Sequence, residues 1–277
     1  MAGTLKAAGS GTLEDGSRRK DAEQALQRLK CEVPREECLG ACQLLESTSL
    51  RSRTCQQRLL ELSAPEVLVA TMKTHLADAE LQIVLCRILQ HLASLSNASA
   101  RNLEAAGACR AFKAAIEAHP SQAAVHQAAC QALELVALGA QEDQNVSSGL
   151  GGLGSFETLA SAAVQDGLVE TLIGSLKRFR ADGHVQQACL AALQALQSGQ
   201  SGQSGQSSGS VSEAVAKAGG IAAIIGALAD HRDNAQLQYW GQVVLAALCH
   251  DNLELRADAQ RKCHWQKIEQ LALAFGG

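Results

Sequence analysis

Hydrophobic and polar positions repeat along this chain with a helical period, and one pattern returns four times. Residues 79–92 (AELQIVLCRILQHL), 123–136 (AAVHQAACQALELV), 183–196 (GHVQQACLAALQAL) and 235–248 (AQLQYWGQVVLAAL) align without gaps. Their third positions are Leu81, Val125, Val185 and Leu237. Their eleventh are Leu89, Leu133, Leu193 and Leu245, and their last are Leu92, Val136, Leu196 and Leu248. Apolar residues at these spacings predict a long helix with one buried face.

A shorter apolar helix precedes each long one. EAAGACRAFKAAI (104–116), VQDGLVETLIGSL (164–176) and AKAGGIAAIIGAL (216–228) carry a small-residue turn with Gly, and SAPEVLVATM from Ser63 is the first unit's counterpart. Upstream lies a third, still shorter helix, predicted over 97–105, 156–164 and 211–217. The unit is therefore short helix, Gly turn, middle helix, polar turn, long helix. Leu81 to Val125 spans 44 residues, Val125 to Val185 spans 60, and Val185 to Leu237 spans 52. Helical repeats of roughly 40–47 residues form stacked solenoids. The two excesses coincide with low-complexity stretches, QEDQNVSSGLGGLGS (141–155) and GQSGQSGQSSGS (within 199–210). The pattern resumes in phase after each, so both read as loop insertions rather than tethers, and loop extensions cost little once closed.

The predicted organisation is a flexible tail over 1–18 followed by one solenoid over 19–277. It comprises a partial repeat (19–53), repeats over about 54–96, 97–140, 156–198 and 211–251, and a partial C-terminal repeat (252–277). Composition agrees with an all-α class. Hydrophobic content is 47% but aromatic content only 3%, with three prolines in 277 residues. Ala and Leu dominate the apolar set, and they favour helix over strand.

NASARNLEAAGACRAFKAAI (97–116) and SVSEAVAKAGGIAAIIGALADHRDNAQLQYWGQVVLAAL (210–248) resemble armadillo repeats, and the likeness extends over about residues 54–273. The resemblance implies a right-handed α-solenoid whose long helices line a concave surface that binds extended peptides or partner proteins. In the nuclear-import receptor of this family the surface carries a ladder of Trp and Asn four residues apart. The matching positions here are Arg87/His91, Gln131/Leu135, Ala191/Ala195 and Val243/Ala247. None is Trp or Asn, so import-receptor activity is not implied. One Arg and one His do not make a β-catenin-like basic groove either. The expected groove is polar in its N-terminal half and small and apolar in its C-terminal half. The candidate contacts are Arg87, His91, Gln131, Leu135, Ala191, Ala195, Tyr239, Val243, Ala247 and Trp265. Trp240 is expected as a core anchor between repeats, and buried aromatics carry much of interface energy.

Charge and motifs narrow the function classes. Net charge is −4. The basic clusters Arg18-Arg19-Lys20 and Lys177-Arg178-Phe179-Arg180 are short and read as solvated helix ends, so no nucleic-acid partner is expected. The start lacks a continuous apolar core or a myristoylation pattern. The longest apolar run, near 221–229, falls short of the about 18 residues that span a bilayer. A soluble, cytoplasmic protein without membrane insertion is expected, its ten cysteines reduced.

Residues 149–154 (GLGGLG) fit a dinucleotide fingerprint but lack the strand that must precede it. Residues 205–209 (GQSSG) fit a nucleophile elbow but sit in a tripeptide repeat. Cys38 and Cys42 lie one helical turn apart, too sparse a pattern for a zinc site. Cys86, Cys130 and Cys189 fall at or beside equivalent long-helix positions and read as small buried hydrophobes. No catalytic residue, metal or cofactor is predicted. The reading is a noncatalytic protein-binding module, either an adaptor or scaffold. The alternative is a fixed structural subunit of a larger assembly. A third reading, a metal- or thiol-dependent enzyme or regulator, would rest on Cys38 and Cys42 alone.

Overall fold

The computed structural model describes residues 8–31, 33–141, 155–198 and 210–250. The predicted final partial repeat, Trp265 and nearly all of both insertions lie outside the described residues. Among those described, the chain forms fourteen helices and no strand. The first two are α1 (Ala8–Leu29) and α2 (Arg35–Arg51). Four triplets follow: α3 (Arg53–Glu61), α4 (Ala64–Thr74) and α5 (Ala79–Ala93); α6 (Asn97–Ala105), α7 (Ala108–Ala118) and α8 (Ala123–Gln141); α9 (Ser155–Gln165), α10 (Leu168–Arg178) and α11 (Gly183–Ser198); α12 (Val211–Lys217), α13 (Gly220–Asp230) and α14 (Ala235–His250).

The expected tail is corrected over residues 8–18, which form the first turns of α1. Asp15 anchors that stretch by accepting hydroxyl bonds from Ser52 and Thr54 where α3 begins.

Local chemistry sets the helix ends. Ser52, Ser96 and Ser210 cap α3, α6 and α12 by accepting from the backbone N–H three residues on. Asp78, Asp182 and Asn234 do the same for α5, α11 and α14. The turn before each middle helix needs a left-handed residue. Gly107, Gly167 and Gly219 supply it at φ 84°, 71° and 70°. Ser63 holds the same conformation at φ 58°, where a side chain is strained.

The long helices pack in chain order, α2 on α5, α5 on α8, α8 on α11 and α11 on α14. A single core runs from Ala22 to Cys249 through them. In α5 alone Leu81, Leu85, Ile88, Leu89 and Leu92 are fully buried. Because α11 contacts α14 directly, the stack continues across the Gly-Gln-Ser stretch. No single helix among the described residues is long and apolar enough to cross a membrane.

A polar latch recurs in each triplet. The fourth residue of the long helix reaches back to the end of the middle helix. Gln82 Nε2 donates to Met72 O and His75 O, both at 2.9 Å. Gln186 donates to Leu176 O and Phe179 O at 2.7 and 2.9 Å, and Gln238 to Leu228 O and His231 O at 2.7 and 3.1 Å. These carbonyls have no partner within their own helix, and a buried unpaired carbonyl is costly. His126 takes this place in the second triplet, its Nε2 donating to His119 O at 3.2 Å.

A second contact ties one triplet to the next. His119 Nε2 donates to Leu76 O at 2.7 Å, and His231 Nε2 donates to Arg180 O at 2.8 Å. Phe179 occupies the equivalent place between them and cannot donate. There His126 takes over: its Nδ1 accepts from the Ser175 hydroxyl at 2.8 Å, and its ring meets Phe179 edge-on, centroids 4.6 Å apart.

Candidate protein-binding surface

The stacked helices α2, α5, α8, α11 and α14 leave one face of each uncovered, and these faces form a continuous wall. At its N-terminal side Arg87 is exposed and pairs with Glu46 across the α2–α5 contact, 3.6 Å apart. His91 lies half-buried beside both. Burial pushes its imidazole below the usual value, Glu46 opposes that shift and Arg87 adds to it. The predicted contacts Arg87 and His91 are thus brought together, but as members of a satisfied charge cluster.

Further along, α8, α11 and α14 enclose a cleft of about 120 Å³. Gln127, Gln131 and Glu134 come from α8, His184, Gln187, Ala188 and Ala191 from α11, and Gln236 and Trp240 from α14. In the aligned long helices α11 carries Ala191 where α8 and α14 carry Gln131 and Val243, and Ala188 where α14 carries Trp240, and both alanines line the cleft. Gln187 Nε2 donates to Gln236 Oε1 at 3.1 Å across the α11–α14 contact. Glu134 is half-buried, and desolvation raises its pKa.

The predicted groove residues divide three ways. Gln131 and Ala191 line the cleft, Ala191 as floor with 3% exposure. Leu135, Val243 and Ala247 are half-buried on the wall. Tyr239 is exposed at 42%, its ring 4.9 Å from that of Trp240. Ala195 is corrected: it is fully buried, because the position four residues beyond Ala191 has turned into the core. Trp240, expected as a core anchor, is half-buried: it packs against the core and also lines the cleft.

The expectation of a small, apolar C-terminal half is also corrected. His184, Gln187 and Gln236 bring polar side chains into that half. Comparing only positions four residues apart missed them. The available signal was the glutamine enrichment of 123–136, 183–196 and 235–248, where Gln fills most of the polar positions.

The cysteines belong to the core. Cys86, Cys130 and Cys189 are fully buried, with the Cys130 and Cys189 sulfurs 3.5 Å apart. Cys38 and Cys42 are buried between helices, and burial raises both thiols above their ordinary value, Cys42 far above it. Such groups are poor nucleophiles. Among the described residues no three His, Cys, Asp or Glu side chains gather as a metal site would require.

No family model matches the chain, and no curated protein matches it in sequence. Solved structures do match in shape. A designed armadillo repeat protein in complex with the peptide (KR)4 is similar at TM-score 0.66 and 17% identity, covering 92% of this chain and 98% of its own. A second designed armadillo repeat protein matches at TM-score 0.65 and 16% identity, covering 91% and 96%. An engineered protein matches at TM-score 0.65 and 20% identity, covering 93% and 92%. The chain therefore has an armadillo-like repeat fold, an all-α solenoid.

Proposed function

We propose that this chain is a noncatalytic protein-binding module that holds an extended segment of a partner protein along the wall formed by α5, α8, α11 and α14. The observation that carries the reading is the glutamine-lined cleft. Amide side chains both donate and accept, so they can pair with the backbone of an extended segment whatever its sequence. Trp240 and Tyr239 add aromatic area at one end, the residue types that anchor interfaces. A fold alone does not set a function, but the neighbouring designed protein that holds (KR)4 shows that this architecture accommodates a peptide. Burial of Cys38, Cys42, Cys86, Cys130 and Cys189 leaves those thiols poor nucleophiles, which supports a noncatalytic role. The setting we infer is cytoplasmic, with an adaptor or scaffold role.

The test is quantitative co-purification with the tagged full chain. Gln131→Arg with Gln187→Arg fills the cleft with two long cationic side chains without touching the core. The double variant is expected to lose its stoichiometric partner, whereas Glu66→Arg on the exposed side of α4 keeps it. Retention by the wall variant and loss by Glu66→Arg would overturn the reading.

A further inference from the structure

Among the described residues α2 is the first helix of the stack, so the side that each later long helix turns towards its predecessor has no helix of the stack against it in α2. Two contacts define that side. Gln236, the second residue of α14, accepts from Gln187 of α11, and Arg87, the ninth residue of α5, pairs with Glu46 of α2. At about 100° per residue, the sixth and tenth positions lie beside the second and ninth. In the four later helices the tenth residues are Ile88, Ala132, Ala192 and Val244, all fully buried. In α2 the sixth and tenth residues are Gly40 and Leu44, and both are exposed, Leu44 by 38%. Helix α1 packs against α2 but leaves Leu44 uncovered. The outer face of a terminal solenoid repeat is normally polar. Here Leu44, with Leu50 further along the same helix, makes up two of the three large apolar side chains exposed among the described residues.

The charges of α2 are self-complementary. Glu36 and Glu37 lie in its first turn and Arg51 in its last. All three are exposed, and none forms an ion pair among the described residues. Leu44 stands midway between Glu37 and Arg51.

We propose that a second copy of this chain covers this face, the two α2 helices lying antiparallel across a two-fold axis near Leu44. Glu36 and Glu37 of each copy then meet Arg51 of the other. Leu44 packs against the partner helix at the centre, and Gly40 lets the two backbones approach closely. A parallel arrangement would set acid against acid, and such like-charge contacts are what fix the orientation of an interface. The contact uses the same patch on both copies, so it closes at two. The face is one helix wide and about 25 Å long, which places it with the small, transient interfaces. Dimerisation is therefore expected at roughly 10 to 100 µM. This end of the stack is separate from the cleft, so its test does not depend on the wall's role.

The experiment is sedimentation velocity of the full chain from about 1 to 300 µM, the range that brackets such an affinity. The unaltered chain is expected to pass from monomer to dimer and no further. Gly40→Gln adds a side chain whose β-carbon meets no atom of the chain within 4 Å, so the monomer keeps its fold. It should weaken the dimer at least about tenfold by holding the helices apart. Leu44→Glu should do the same. Glu36→Lys with Glu37→Lys, and separately Arg51→Glu, should each weaken self-association. Mixed in equal amounts, these two variants should dimerise as tightly as the unaltered chain, because every charge again meets its opposite. Thermal unfolding of each variant checks that the fold is kept.

A chain that stays monomeric throughout the range would overturn the proposal. So would a dimer that tolerates both Gly40→Gln and Leu44→Glu, or a mixture of the charge variants no tighter than either alone. Mass that keeps growing beyond two copies would also overturn it, since that requires an open head-to-tail contact rather than a closed one.

Discussion

Gly107 occupies the left-handed region with open space around its α-carbon, so a methyl group there meets no atom within 4 Å. Gly107→Ala isolates the backbone term. It should destabilise the fold by about 1 kcal/mol in urea unfolding, the left-handed penalty less the entropy lost from the unfolded chain. Ser63 already carries that penalty, so Ser63→Gly should be neutral or stabilising in the same assay. His126 acts through its protons. Burial holds its imidazole below the ordinary value, so the folded chain binds fewer protons than the unfolded chain as pH falls. Stability contributed by the neutral ring is complete above about pH 6.5 and declines as pH drops towards the folded-state value. His91 is shifted the same way and adds to the trend. His126→Gln restores the residue found at this place in the other three triplets. Its unfolding free energy should therefore depend less steeply on pH between about 7.5 and 5.5 than that of the unaltered chain. An unchanged slope would show that His126 does not report on that interval.

The latch belongs to the scale of the element. Gln186 bridges two carbonyls at the end of α10, and replacing it by Leu keeps the volume but strips Leu176 O of its donor, while Phe179 O keeps the Asp182 N–H. The expected cost is about 2 kcal/mol by chemical denaturation. It is moderated because Gln186 Oε1 is itself buried without a partner. Gln238→Leu, at a less buried latch, should cost less. Helix existence was legible in the sequence here to a degree unusual for loops: α6 and α12 begin and end where the pattern places them. The reason is physical. Each boundary is set by a serine cap or a glycine turn written in the local sequence. The latch was not legible, because a glutamine at the fourth position of a long helix looks like any polar helix residue. Its role depends on where the preceding turn leaves the carbonyls ten and seven residues back.

At the scale of the molecule, the stack of long helices decides what is exposed. Ala195 shows how this escapes sequence reading. Its helical phase relative to Ala191 suggested a shared face, but Ala191 reaches the cleft floor while Ala195 is buried in the packed core. The cleft itself depends on three helices meeting with alanines between larger neighbours, a register that one-dimensional spacing does not contain. The direct contact of α11 with α14 bears on the Gly-Gln-Ser stretch as well. Deleting residues 199–208 should shift the melting temperature by no more than a few degrees and leave one cooperative transition, since surface loops tolerate length changes.

The central claim is that the wall of long helices is the surface that holds a partner. Hydrogen–deuterium exchange of the full chain, alone and with its co-purified partner, tests it most directly. New protection is expected along α8, α11 and α14, centred on the peptides that contain Gln131, Gln187 and Trp240. Protection confined to the middle helices α4, α7, α10 and α13, with the long helices unchanged, would contradict it.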